Sequence, residues 1–146
     1  MTERIDIKII LISSLFATVL SLFVLPLLHT FLNIFTDMEL DRPIGAYLLW
    51  GYFPLSLAGL YVGYSAKKNI LINGVVVGIV YSLGHDLYSI ILIRNSWNIN
   101  WMSMIYGLVK YAIFCGLISL ATFKIINFLK KKDNAKSNKT AGADGV

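Results

Sequence analysis

Residues 70–93 read ILINGVVVGIVYSLGHDLYSIILI, a stretch that holds one acid, Asp86, and no lysine or arginine. The hydrocarbon core of a bilayer is crossed by a helix of about 20 mostly apolar residues, so this stretch predicts a membrane span. Its polar and small residues are ordered rather than scattered. Gly74, Gly78, Ser82 and Asp86 follow one another at four-residue steps, with His85 and Ser89 beside them. That spacing places the row along one face of a helix.

Three further stretches of the same character lie on either side, at residues 9–35, 44–66 and 101–129. The links are short, 36–43, 67–69 and 94–100, and short links make consecutive helices antiparallel neighbours. Residues 1–132 are therefore expected to form an all-α integral membrane four-helix bundle of antiparallel up-down topology. Arg4 and Lys8 before the first span resemble the start of a signal peptide. The span is too long for a signal core and lacks a small-x-small cleavage site, so it is read as a retained helix. Pro43 suits the first turn of the second helix, where its missing N–H costs nothing.

Composition agrees. The chain is 57% hydrophobic and 14% charged, with a mean hydropathy of +0.70, whereas soluble domains carry about 25% charged residues. The net charge of +5 comes from lysines beside apolar spans, without a basic-aromatic surface pattern. It is read as a membrane flank facing anionic lipid headgroups, not as a nucleic-acid surface. Cys115 is the single cysteine, which excludes an internal disulfide or a cysteine metal cluster and leaves a small packing residue.

The lysines and arginines also orient the chain. Arg4, Lys8, Lys67, Lys68, Lys124, Lys130, Lys131, Lys132, Lys136 and Lys139 fall on one side, and Arg42 and Arg94 on the other. The positive-inside rule then gives N-in/C-in, with both termini cytoplasmic. Asp37, Glu39 and Asp41 make the first outer loop acidic, and Trp97 and Trp101 mark the outer interface. Residues 133–146, DNAKSNKTAGADGV, are polar and nonperiodic and are expected to be a disordered cytoplasmic tail. The Asn138-Lys139-Thr140 sequon is then out of reach of glycosylation, and there is no lipidation box.

Small residues allow membrane helices to approach closely. Gly59 and Gly63 in the second span and Gly74 and Gly78 in the third flank the Lys67-Lys68 turn at similar depth. This predicts helix packing of the second span on the third, with homodimerisation through the same faces as the rival reading. Pro26 and Pro54 free the carbonyls of Leu22 and Trp50 and predict helix kinks that splay the outer half of the bundle.

Polar residues recur on inward faces. Span one carries Ser14, Thr18, Ser21, His29 and Asn33, and span four carries Ser103, Gly107 and Lys110. Asp86 precedes Arg94 by eight residues and Lys110 follows Trp101 by nine, which sets both roughly 12–14 Å below the outer helix ends. His29 falls near the same level. An intramembrane polar site of Asp86, Lys110, His85 and His29 is therefore expected, with Tyr47, Tyr88 and Tyr106 as neighbours. A charge in mid-membrane costs at least about 2.5–3.5 kcal/mol. Two reasons for keeping these charges stay open: an Asp86–Lys110 pair that fixes register, or a water-accessible site for a proton, ion or headgroup. No spacing supports a metal site, and no cofactor is expected.

The run Ala58-Gly59-Leu-Tyr-Val-Gly63-Tyr-Ser-Ala66-Lys-Lys, followed by Asn73-Gly74-Val-Val-Val-Gly78, resembles a hairpin of small prokaryotic four-helix membrane proteins of unknown function. Their pattern is A-G-x-x-x-G…K…h-G-x-x-x-G. The resemblance covers about 25 residues and implies a fold but no activity. Better-known four-helix families fit less well. Residues 9–35 lack the carboxylate of small multidrug transporters, and the CxxC of vitamin K epoxide reductase-like enzymes is missing. The G-G-x-x-G-A-x-x-R run of fluoride channels is missing too.

The function expected from these residues is that of a non-enzymatic, multi-pass bundle in a prokaryotic plasma membrane, which assembles with or regulates a membrane-protein partner. The alternative is a minimal oligomeric transporter or ion- or proton-conducting unit using the Asp/Lys/His cluster. An enzyme acting on lipid ranks third, since only His85-Asp86 approaches an acid-base pair.

Overall fold

The computed structural model describes residues 6–27, 30, 51–92 and 101–141, apart from the side chains of 89, 92 and 133–141. Among them there is no strand. The elements are α1 (Ile7–Val19), which runs into a π-helical turn at Leu20–Val24, then α2 (Phe53–Ser65), α3 (Ile70–Leu92) and α4 (Trp101–Ala141). Three helical stretches are long and apolar enough to cross a membrane: Ile7–Leu27, Ile70–Tyr88 and Trp101–Lys132. Residues 44–50 of the expected second span, and 28–29 and 31–35 of the first, lie outside the described residues, as do both longer links.

The helices begin and turn for local reasons. Asp6 caps α1, its carboxylate accepting from the Ile9 N–H at 3.3 Å, so the helix starts before the first fully apolar run. Between α2 and α3 the chain reverses through Ala66, whose backbone is extended, and Asn69, at φ 52°. Asparagine tolerates that left-handed conformation better than most residues. Asn73, fully buried, ties the turn together. Its Nδ2 donates to the Lys68 carbonyl at 3.2 Å, and its Oδ1 accepts from the Asp6 N–H at 3.3 Å. One side chain thus fixes the starts of α1 and α3 side by side.

α4 packs along α3 and α2, and α1 packs along the same two helices, so α2 and α3 form the middle of the assembly. The interior is made of small and hydroxyl-bearing residues: Ser13, Ser14, Ala17, Ser21, Ala58, Cys115 and Ser119, with Leu55, Val62, Val77 and Tyr81. The buried hydroxyls bond back to the helix. Ser13 donates to Ile9 O at 2.6 Å, Ser14 to Ile10 O at 2.7 Å and Ser119 to Cys115 O at 2.8 Å. The large apolar side chains point the other way, with Phe23 59%, Leu27 72% and Met102 78% exposed. Water would not tolerate that arrangement over whole helices; lipid would.

Sequence spacing places Gly59, Gly63, Gly74 and Gly78 between α2 and α3. The structure turns both pairs onto α4 instead. A Cβ on Gly74 would lie 2.9 Å from the Cys115 carbonyl oxygen, and one on Gly78 would meet the Tyr111 carbonyl. From the other side, a Cβ on Gly59 would lie 3.3 Å from that same Cys115 oxygen, and one on Gly63 would meet the Ser119 carbonyl. The backbone of α4 is wedged between two glycine-lined helices, which is why both partners had to give up their Cβ atoms. α4 then continues past its neighbours. Its helix runs on to Ala141, into the 133–146 tail whose composition predicts disorder, for a length of 41 residues.

Candidate functional site

The π-wound segments identify where the bundle is irregular. Leu20–Val24 is π-helical and ends two residues before Pro26; residues 51–52 are π-wound and end two residues before Pro54. Proline lacks an N–H, and its ring presses on the carbonyl four residues back. A locally wider turn relieves both: the Leu25 N–H reaches back five residues, to Leu20 O. The kink positions expected from the sequence are therefore places where the helix widens.

Both wide turns rest on one cluster of aromatic side chains. Tyr81, on α3, donates from its hydroxyl to Ser21 Oγ in the first wide turn at 3.1 Å. Its ring meets Tyr111 of α4 edge-on, with centroids 5.6 Å apart. Tyr111 in turn meets Tyr52 of the second wide turn at 5.8 Å, and Tyr52 meets Phe114 at 4.7 Å. Gly51 makes room for this: a Cβ there would lie 2.9 Å from the Tyr111 hydroxyl.

Lys110 extends from this cluster. Its ammonium lies 4.8 Å from the ring centre of Tyr111, 5.4 Å from that of Tyr106 and 5.5 Å from that of Tyr52. Cations within about 6 Å of such rings are attracted by their negative faces. Lys110 also lines a groove of about 380 Å³ along one face of α4, with Tyr106, Val109, Ile113, Phe114 and Leu117 of that helix and Tyr52 of the second wide turn. Val109, Ile113 and Leu117 are each about half exposed, so the groove opens on the flank of the bundle.

The sequence brings Asp86 and Lys110 to one depth. The register of α3 on α4 separates them. Gly74 lies against Cys115, Gly78 against Tyr111 and Ser82 against Gly107, so each four-residue step along α3 is matched by a four-residue step back along α4. Continued, this puts Asp86 across from Ser103, seven residues from Lys110, or about 10 Å along the axis. The Asp86 carboxylate meets His85 and the Ser82 hydroxyl on its own helix, and its charge also reaches Tyr111 of α4. His85 lies 6.5 Å from Tyr81, ring centre to ring centre. His29 and Tyr47 lie outside the described residues, and Tyr88 is at the surface. Of the four residues expected to form the site, His85 and Asp86 stand on α3 and Lys110 among tyrosines on α4, while His29 lies outside the described residues.

Sequence reasoning missed Tyr52, Tyr81, Tyr111 and Gly51. Tyr81 was within reach of it, since it stands three residues beyond Gly78 and four before His85 on the buried side. Among the described residues, no three His, Cys, Asp or Glu side chains converge as a metal site would require. Comparisons with protein families, curated proteins and solved structures give no match, so the geometry alone bears on function.

Proposed function

We propose that this chain is a multi-pass membrane protein that crosses the bilayer four times with both termini cytoplasmic and acts without catalysis, by assembling with a membrane-protein partner. The observation that carries this reading is the exposed later part of α4. α2 ends at Ser65, and Gly63 near that end is level with Ser119 and Thr122. Phe123 still packs on the core there; beyond Ile126 every described side chain of α4 is exposed. The helix presents Ile125, Phe128 and Leu129, 53–68% exposed, at the spacing of one helical strip, beside Lys124, Lys130, Lys131 and Lys132. Anionic headgroups suit the lysines; the apolar strip suits a helix of another chain.

A conducting unit has less geometric support, because the register sets Asp86 and Lys110 on separate parts of the bundle. The partner reading is tested by placing a photo-crosslinking residue at Phe128 in native membranes, with one at Leu11 on α1 as the lipid-facing control. The expected result is a discrete protein adduct at 128, recovered reciprocally from the tagged partner, and only lipid adducts at 11. Lipid adducts alone at both positions would remove the basis for a partner.

A further inference from the structure

We propose that the two wide turns are one conformational device: they tighten and widen together, coupled through Tyr81 of α3 and Tyr111 of α4. The coupling is internal to the bundle, so it stands or falls independently of a partner at Phe128.

Each wide turn is an element with two windings. In the wide form N–H groups reach back five residues, as the Leu25 N–H does to Leu20 O; in the tight form they reach back four. The tight form suffers ahead of a proline, since Pro26 and Pro54 supply no N–H and their rings press on the carbonyl four residues back. The wide form relieves that pressure but gives up regular winding, so the two compete. Such turns are also where helices bend. Both stand at the same place, ending two residues before the proline, and the winding of each is decided by what it leans on.

Both lean on the same rings. Tyr81, 1% exposed, donates from its hydroxyl to Ser21 Oγ in the first turn at 3.1 Å. Rewinding that turn carries Ser21 around the helix axis and takes the acceptor from a buried hydroxyl, which is costly. The Tyr81 ring can follow Ser21 only by moving against Tyr111, whose ring meets it edge-on at 5.6 Å. Tyr111 in turn meets Tyr52 of the second turn at 5.8 Å, and its hydroxyl lies 2.9 Å from where a Cβ on Gly51 would be.

From Ser21 to Gly51 the contacts are unbroken, and every side chain in the series is buried or half-buried. Close-packed side chains shift between discrete arrangements rather than yielding continuously. A change of winding in one turn therefore re-packs the series and biases the other turn, and the bias is equal in both directions. A force that bends α1 at its wide turn is thereby felt at the start of α2.

Hydrogen exchange of backbone amides, read by mass spectrometry on the full chain in lipid nanodiscs, tests this. Peptides covering 20–25 report the first turn, 51–56 the second and 112–119 the middle of α4. Tyr81→Phe keeps the ring and removes the hydrogen bond. It is expected to raise exchange at 20–25 about fivefold, the change that losing one ordinary hydrogen bond produces, together with a rise at 51–56 and none at 112–119. Gly51→Ala pushes on the Tyr111 hydroxyl from the other end and should raise exchange at 20–25. Tyr111→Leu removes the connecting ring, and in that background Tyr81→Phe should loosen 20–25 alone. Ser14→Ala, whose lost hydroxyl bonds back to its own helix, should leave both turns unchanged. For Tyr81→Phe, no rise, a rise confined to 20–25, or one that includes 112–119 would each overturn the coupling. So would a 20–25 segment indifferent to Gly51→Ala, or a 51–56 segment that still responds without the Tyr111 ring. Should either single variant fail to fold, Ser21→Ala decides, since exchange must then rise at 51–56 as well as at 20–25.

Discussion

Lys110 and Asp86 show what a single residue can and cannot announce in a sequence. Each stands out as a charge inside an apolar span, and counting from the ends of their helices brings them level. The count misses the register, which is set by where glycine, alanine and serine let the backbones touch. With Gly78 against Tyr111 and Ser82 against Gly107, Asp86 comes opposite Ser103, about two turns from Lys110. Sites separated by more than about 7–10 Å without shared partners behave additively. With about 10 Å of helix between them and Tyr111 as a shared neighbour, Asp86→Asn and Lys110→Met should couple by no more than about 0.5 kcal/mol in a double-mutant cycle, measured by unfolding in mixed detergent micelles. A coupling above about 0.5 kcal/mol would mean that the two charges meet. The tyrosines around Lys110 were hidden for a different reason. Tyr52, Tyr81 and Tyr111 come from three helices, and no spacing within one helix reveals a cluster assembled across them.

For the elements, the glycine pairs and the prolines were legible as features but not in their consequences. Gly59-x-x-x-Gly63 and Gly74-x-x-x-Gly78 signal close approach, yet a motif does not name its partner. The answer lies in α4, whose Cys115 carbonyl is approached from both sides, by Gly59 and by Gly74. This separates glycines that carry a contact from one that does not. A Cβ at Gly78 would meet the α4 backbone, whereas at Gly84 the nearest atom, Thr18 Oγ1, is at an ordinary 3.5 Å. Gly78→Ala is expected to cost about 1–3 kcal/mol through overpacking. Gly84→Ala should be neutral or slightly stabilising, since it removes the entropic cost of a helical glycine. Detergent unfolding of the two variants side by side checks this; equal losses would place α4 elsewhere. Pro26 and Pro54 likewise announce a disturbed ladder, while the form it takes, a wide turn ahead of each ring, depends on Ser21 and Gly51 having Tyr81 and Tyr111 to rest against.

In the whole molecule, the all-helical class was legible because hydropathy and length act over entire spans and need no knowledge of partners. The structure adds that the distribution is inverted relative to a water-soluble domain, with serine, glycine and alanine inside and leucine, isoleucine and phenylalanine outside. It also draws Lys8, Lys67 and Lys68 to one end, because Asn73 bonds both Asp6 and the Lys68 carbonyl. If this is a four-crossing protein with cytoplasmic termini, that end is the cytoplasmic face. The most direct test uses a Cys115→Ala background carrying single cysteines at position 68, 97 or 139, labelled in intact cells and in inverted vesicles with a membrane-impermeant maleimide. Cysteines at 68 and 139 should react only in inverted vesicles and the one at 97 only in intact cells; reaction of 97 and 68 from the same side would contradict the four-crossing account.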